Sequence, residues 1–295
     1  MPEIKIKNIT KNDPIPTNKL GIGLRGVHIP YVLENAKKIA KKIGWLEVHS
    51  ENYYAKGGGA ISTLLEIRKD FPISLHCVGN ALGSASGLDL DHLQKLKNLI
   101  EIVNPFLVSD HISWGMVDKK HLNDLLPLPY NKAAFLVLLE NISRMQDFLK
   151  REILIENPST YLAFKNPEMT EFDLINQLCQ TTGCKLLLDV NNIFVSSKNN
   201  SEFDPKKYLQ KLDKKIVKEI HLAGHSESEI FDGKKYKKIL IDTHNDLTCK
   251  EVWELYSIAI KRFGQIPTLI EWDQDFPKFS VLLDEAKRAE KFLKS

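Results

Sequence analysis

CKLLLDVN, residues 184–191, is a short apolar run that ends in a carboxylate. Three leucines between polar residues have the length and composition of a strand buried on both faces, as in a parallel sheet. The same form recurs along the chain as GIGLR at 21–25, WLEVHS at 45–50, ISLHCVG at 73–79, FLVSDHIS at 106–113, EILIEN at 152–157, EIHLAG at 219–224 and PTLIEW at 267–272. Stretches with helical periodicity lie between these runs, at 31–43, 60–70, 89–103, 131–150, 171–182, 204–214, 248–263 and 278–293. Eight βα units predict a closed TIM (β/α)8 barrel, formed as a single domain over residues 1–295. Start signals agree: Asp89 or Asp91 can cap the third helix, Thr170 with Asp173 opens a capping box, and Thr248 with Glu251 makes a fuller one.

A chain of 295 residues with 43% hydrophobic content is ample for such a core. The formal charge of +3, from 41 basic and 38 acidic side chains, leaves no field of one sign and argues against a nucleic-acid partner. Cysteines 77, 179, 184 and 249 form no CxxC pair and read as thiols of a reducing compartment. MPEIKIKNITKNDPIP at the start lacks the apolar run of a signal peptide. No later stretch approaches the roughly 18 uninterrupted apolar residues of a membrane span. A cytoplasmic protein without a membrane partner is expected. The lysine-rich stretches 205–218 and 233–238 read as solvated faces.

Function is read from where the polar residues fall. His49 follows WLEV, His76 follows ISL, Asp110 follows FLVS, Glu156 follows ILI, Asp189 follows KLLL, His221 follows EI and Glu271 follows TLI. In a TIM barrel these strand ends meet at the C-terminal rim, where active sites assemble. A single buried His or Asp there is more often a hydrogen-bonded structural group than a ligand. Seven together would leave like charges unpaired unless divalent cations joined them, so a metal cluster is the economical reading.

Strand alternation would place Asp189 and Asn191 on one face, and His221 with Ala223, while His225 lies where its strand opens into a loop. The segment HSESEIFDGKKYKKILIDTHNDL, 225–247, is too long for an ordinary connection. If 239–244 is extended, Asp242 and His244 point the same way and with His225 supply a further metal position; the alternative is a solvated hairpin. The connection 114–130 would cover the site, with Asn123 and Asp124 as turn or cap residues before the next helix. Cys77 should face away from His76 as a packed thiol.

The ordered motifs EVHSENY at 47–53, SLHCVGNALGS at 74–84, VSDHISW at 108–114, HLNDLLPLPY at 121–130, LIENPSTYL at 154–162, LLDVNNIFVS at 187–196, EIHLAGH at 219–225, LIDTH at 240–244 and TLIEWD at 268–273 carry a resemblance. Over about 21–290 the chain resembles the multinuclear non-heme iron-dependent oxidative enzymes, the family of the methanobactin biosynthesis oxidase. The resemblance implies a xylose isomerase-like TIM barrel that holds two or three iron ions and acts with dioxygen on cysteine residues of a ribosomally synthesised precursor peptide. It also implies a separate leader-peptide-binding partner protein. Matching positions are His49, His76, Asp110, Glu156, Asp189, Asn191, His221, Asp242, His244 and Glu271. Imidazole and carboxylate without thiolate suit iron, with zinc or manganese as alternatives. Cys77 departs from the pattern, since a small residue such as Gly is usual there.

Other readings stay open at this point. A multinuclear zinc phosphodiesterase of the endonuclease IV type uses similar ligands but would want a basic rim. A sugar isomerase of the xylose isomerase type is supported by Glu156, Asp189, His221 and Glu271 and leaves His49, His76 and Asp110 idle. A metal-storage or peptide-binding module would keep the ligands without turnover.

Overall fold

The computed structural model describes residues 15–55, 59–118, 120–162, 164–165, 167–231, 233 and 235–294. The reading of the N-terminal residues 1–14, and Lys234 of the lysine-rich stretch, lie outside them.

In chain order the strands are β1 (Leu20–Gly23), β2 (Trp45–His49), β3 (Ile73–His76), β4 (Leu107–His111), β5 (Trp114–Val117), β6 (Lys120–Leu126), β7 (Leu154–Glu156), β8 (Lys185–Asp189), β9 (Val217–Leu222), β10 (Ser226–Phe231), β11 (Tyr236–Ile241) and β12 (Thr268–Ile270). The helices are α1 (Ile29–Ile39), α2 (Ala60–Arg68), α3 (Leu90–Val103), α4 (Lys132–Leu149), α5 (Glu171–Thr182), α6 (Val190–Asn199), α7 (Pro205–Lys211), α8 (Lys250–Phe263) and α9 (Phe279–Leu293). Eight parallel strands close in the order β1–β12–β9–β8–β7–β4–β3–β2. They correspond to the eight apolar runs of the sequence.

Leu186, Leu187 and Leu188 are all 0% exposed, which explains the missing alternation in β8: barrel interior and helix layer bury both faces. Each such side chain stabilises the fold by about 1.5–3 kcal/mol. Thr170 caps α5 by accepting from Asp173 N, and Gly183 ends it at φ 80°. Asp89 caps α3, accepting from the amides of Asp91 and His92.

Four expectations need correction. The N-cap of α8 is Cys249 rather than Thr248, whose amide instead donates to Glu285 Oε2 at 3.1 Å. The chain does not stay extended after Asp189: it turns into α6, which the Asn-, Val- and Ser-rich VNNIFVSSKN hides on propensity grounds. Asp189 starts that helix by accepting from Asn192 N at 2.6 Å, so Asn191 is a helical step away, not a strand neighbour. Asn123 and Asp124 lie in β6, and Asn131 caps α4.

Segment 225–247 builds the antiparallel hairpin β10–β11, solvated along most of its length, with Asp242 and His244 just past its foot. A second hairpin, β5–β6, rises from the same rim after β4. Gly224, between β9 and β10, is pressed against the far end of the first segment: a Cβ there would lie 2.1 Å from the Asp246 carbonyl oxygen. Gly224→Ala is therefore expected to cost about 1–3 kcal/mol by overpacking and to weaken metal uptake by displacing the chain next to His244. Thermal denaturation with metal analysis measures both, and a wild-type melting curve would contradict this account.

Candidate metal centre

Parallel pairing sets the strand ends level with one another. His49 pairs with His76, His111 with Glu156, and Asp189 with His221. Side chains two apart share a face, so Ser109 and His111 face inward with Ser74, His76, Glu219 and His221. Donor atoms lying within 4.8 Å of one another form the groups His76–His111–Glu156, Glu156–Asp189–His221 and Asp189–His244–Glu271. Glu156 belongs to the first two and Asp189 to the last two, so two carboxylates link three adjacent positions. Two further groups, Glu47–Glu219–His221 and His49–Glu271–Asp273, adjoin this chain of sites through His221 and Glu271.

Hydrogen bonding tests whether these residues fit a cation. His111 Nδ1 lies 3.3 Å from the Cys77 carbonyl, which can only accept, so Nδ1 carries the proton and Nε2 a lone pair. That Nε2 is 3.3 Å from Glu156 Oε2, and His76 Nε2 is 3.3 Å from the same oxygen. His76 Nδ1 is held by Ser109 Oγ at 2.7 Å. Glu156 Oε2 is buried and has no hydrogen-bond partner among the described residues. An imidazole lone pair facing a carboxylate lone pair is repulsive without a cation between them, and fixing Nδ1 from outside is how metal-ligating histidines are oriented. Asp189 Oδ2, His221 Nε2, Glu47 Oε1 and both Glu219 oxygens are buried and orphaned in the same way. His244 Nε2 approaches Asp242 Oδ1 to 2.7 Å without the alignment of a hydrogen bond. The donor set fits a cluster of divalent ions.

The electrostatics of the metal-free site point the same way. Burial, reinforced by the Asp242 charge, raises Asp189 to about 7, and burial raises Glu156 well above the usual carboxylate range. Burial with the Glu47 charge takes Glu219 to about 8, and burial with the Glu51 charge takes Asp110 to about 7. Burial lowers His76, and holds His111 at about 4. For His221 and His244 burial is outweighed by carboxylates, Glu271 and Glu47 for the first, Asp242 and Glu271 for the second, and both are raised.

A raised folded pKa contributes stability that is lost as pH climbs through it. The lowered His76 and His111 have the opposite slope, but only below the ordinary histidine pKa of about 6.5. Metal-free protein is therefore expected to lose on the order of 2 kcal/mol between about pH 7 and pH 9. Metal-loaded protein should not, because ions replace those protons. Melting temperatures of both forms across that range measure this, and a metal-free protein that gains stability would sink it.

The structure draws Glu156, Asp189, His221, His244 and Glu271 together, with His76 beside them. His49 and Asp242 line the mouth of a cavity of about 150 Å³ over the group, walled also by Val78, Leu125 and Pro158. Asp110 lies on the opposite face of β4 from His111, and its carboxylate accepts from Asn80 Nδ2 at 2.6 Å and from His111 N. Asn191 donates to Asp242 Oδ1 at 2.7 Å and bonds the His225 ring at 2.9 Å, so His225 does not form a group with Asp242 and His244. Cys77 is fully buried with its thiol 3.2 Å from Ser50 Oγ, away from the centre as alternation required.

Sequence reading missed His111, Asp273, Glu47, Glu219 and Arg25. Strand alternation could have found two of them, since Glu47 and Glu219 are each two residues from an inward histidine, whereas alternation from Asp110 turns His111 outward. Arg25 had no such signal. Its guanidinium is 6% exposed and reaches Asp273 Oδ1, Glu271 Oε1 at 3.2 Å and His49 Nε2 at 3.1 Å. The chain thus supplies its own cation to the group His49–Glu271–Asp273. Burial and the Glu271 charge would raise Asp273, but Arg25 and His244 hold it at about 2.

Among the described residues no helix is long and apolar enough to cross a membrane. Solved structures of D-psicose 3-epimerase and of a xylose isomerase domain containing protein from Salmonella typhimurium superpose with TM-scores of 0.57 and 0.60. They cover 92% and 96% of this chain and 97% and 100% of their own, at 14% and 13% identity, a likeness that shows the xylose isomerase-like barrel alone. A UPF0276 protein of Psychromonas ingrahamii is 41% identical over 277 residues, 93% of this chain and 94% of its own length. A UPF0276 protein of Acaryochloris marina is 43% identical over 273 residues, 92% of this chain and 94% of its own length. The family described as "RiPP precursor modification enzyme MbnB/TglH/ChrH" matches residues 19–294, from the first barrel strand through the last helix. Spanning every strand that carries a donor, that match makes the chain a member of the MbnB/TglH/ChrH family, in line with the resemblance of its motifs.

Proposed function

We propose that the protein is a multinuclear non-heme iron, dioxygen-dependent oxidase that modifies cysteine residues of a ribosomally synthesised precursor peptide. The observation that carries the metal reading is the run of linked donor groups in which Glu156 and Asp189 are shared. In this reading His76, His111, Glu156, Asp189, His221, His244 and Glu271 hold the ions, with His49 and Asp242 at the rim. Asn191 and His225 extend the set through Asp242, and Asp110 extends it through His111.

When bound, iron supplies the redox chemistry that removal of hydrogen and electrons from a thiol by dioxygen requires. The chain's own residues do the rest. Val78, Leu125 and Pro158 give the cavity an apolar wall, and its volume of about 150 Å³ admits one side chain. The low pKa of His111, set by burial, keeps its ring neutral, and its protonated Nδ1 is held by the Cys77 carbonyl. Family membership supports a peptide substrate. So small a cavity leaves recognition of the leader to other surfaces or to a separate leader-peptide-binding partner protein. Four free cysteines, three of them buried, accord with a reducing cytoplasmic setting.

The test is elemental analysis and optical spectroscopy on protein purified anaerobically without added metal, followed by exposure to air with a cysteine-containing precursor peptide. Two or three irons per chain that oxidise in air and consume dioxygen with peptide support the reading. Stoichiometric zinc with no redox response would replace it by the phosphodiesterase alternative. Metal and peptide binding without dioxygen consumption would leave a binding module.

A further inference from the structure

We propose that a second cavity, of about 620 Å³ and adjoining the metal pocket, is a subsite for a basic side chain, lysine or arginine, of the peptide whose reacting residue enters that pocket. The proposal rests on the peptide reading above and deepens it. The cavity lies between the Ser50–Tyr53 turn, the N-terminus of α3 and the β5–β6 hairpin. Val78 and Leu125 line both cavities, so a chain that places one residue over the metal group has a near neighbour at this second opening.

Its polar lining selects for positive charge. Glu51, Asp89 and Asp124 face Lys95, three carboxylates against one ammonium among the described lining residues, with imidazoles at His92 and His121. Glu51 is the anchor. Its Oε1 already accepts from Val78 N at 3.1 Å and Gly79 N at 3.0 Å and meets His92 Nε2 at 3.2 Å. Its Oε2 is buried and has no hydrogen-bond partner among the described residues. A buried carboxylate oxygen left without a donor is costly, and an ammonium or guanidinium is the donor that also offsets the excess charge. The imidazoles are not available for that role: His92 is engaged by Glu51, and His121 sits 3.4 Å from Asp89 Oδ2. None of these groups belongs to the donor groups of the metal centre.

The test uses metal-loaded protein under anaerobic conditions and acetylated, amidated heptapeptides with a central cysteine. Lysine or its uncharged counterpart norleucine is placed in turn at each of the two positions on either side, and Kd is measured calorimetrically. At one position lysine is expected to bind about tenfold more tightly than norleucine, the range of a charge-assisted hydrogen bond. In Glu51→Gln, which keeps an oxygen for the Val78 and Gly79 amides, that ratio should fall below about threefold with metal content unchanged. Asp124→Asn, on the opposite wall, is a second variant that leaves those amides untouched and should lower the ratio too. A wild-type protein with no lysine preference at any position, or a preference that survives in both variants, overturns the subsite. Replacing the central cysteine by serine separates the two readings. Lysine preference kept without cysteine dependence supports the subsite and counts against the thiol reading. Cysteine dependence without lysine preference overturns the subsite alone, and absence of any binding overturns both.

Discussion

Glu156→Ala is expected to remove more than one metal ion per chain and to abolish turnover, whereas His76→Ala should cost one ion. The difference follows from sharing. Glu156 contributes to both the His76–His111 group and the Asp189–His221 group, while His76 contributes to one of them. Loss of even an outer partner of a metal ligand typically costs 10–100-fold in affinity or activity, so loss of a shared ligand should exceed about a hundredfold. Misfolding is not the expected cause. Glu156 is 1% exposed, its Oε2 is orphaned without metal, and its pKa is raised well above normal by burial. Removing an uncompensated buried carboxyl is commonly neutral or stabilising to the metal-free fold, although here it also opens a cavity. Metal stoichiometry of the two variants, with melting curves of their chelated forms, decides the matter. If Glu156→Ala retains the full complement of ions, Glu156 is not a bridge and the linked-site arrangement is wrong.

Chelation of the wild-type protein should lower its melting temperature by more than about 10 °C. Each ion held at a thousandfold excess over its Kd stabilises the folded state by about 4 kcal/mol, and two or three sites add roughly in proportion. A change of 1 kcal/mol moves the melting temperature of a domain of this size by about 2–4 °C. Iron(II), zinc or manganese should each restore most of the lost stability, because the orphaned donors need a cation more than a particular one. Iron alone should restore dioxygen consumption with peptide. A melting temperature indifferent to chelation would mean that the buried carboxylates are balanced by protons and internal cations such as Arg25. Zinc restoring phosphodiester hydrolysis where iron restores nothing would overturn the oxidase.

By itself the sequence determined the barrel and its rim. Each of the eight apolar runs became a strand because a parallel sheet covered on both faces needs continuous apolar residues, and that signal is local. His49, His76, Glu156, Asp189, His221 and Glu271 were legible for the same reason: each ends or directly follows its run, or in the case of His221 lies one residue before the end of β9, and a barrel gathers strand ends at one mouth. Phase within a short run was less legible. Asp110 and His111 are adjacent at the end of β4, and pairing with β3, which sets Ser109 against His76, turns His111 inward and Asp110 toward Asn80.

Tertiary structure decided what depends on partners distant in sequence. Arg25 is 248 residues from Asp273, and nothing near it signals a buried ion pair. The turn of the chain into α6 depends on the Asp189 carboxylate capping its own helix while its other oxygen faces the centre. Donor sharing by Glu156 and Asp189 needs donors from β3, β4, β7, β8 and β9, from Glu271 just past β12 and from the rim segment at His244, each group closed to within 4.8 Å. Residue type and period are written locally along a chain, whereas convergence of donors and the orientation of each ring nitrogen exist only once the barrel has closed.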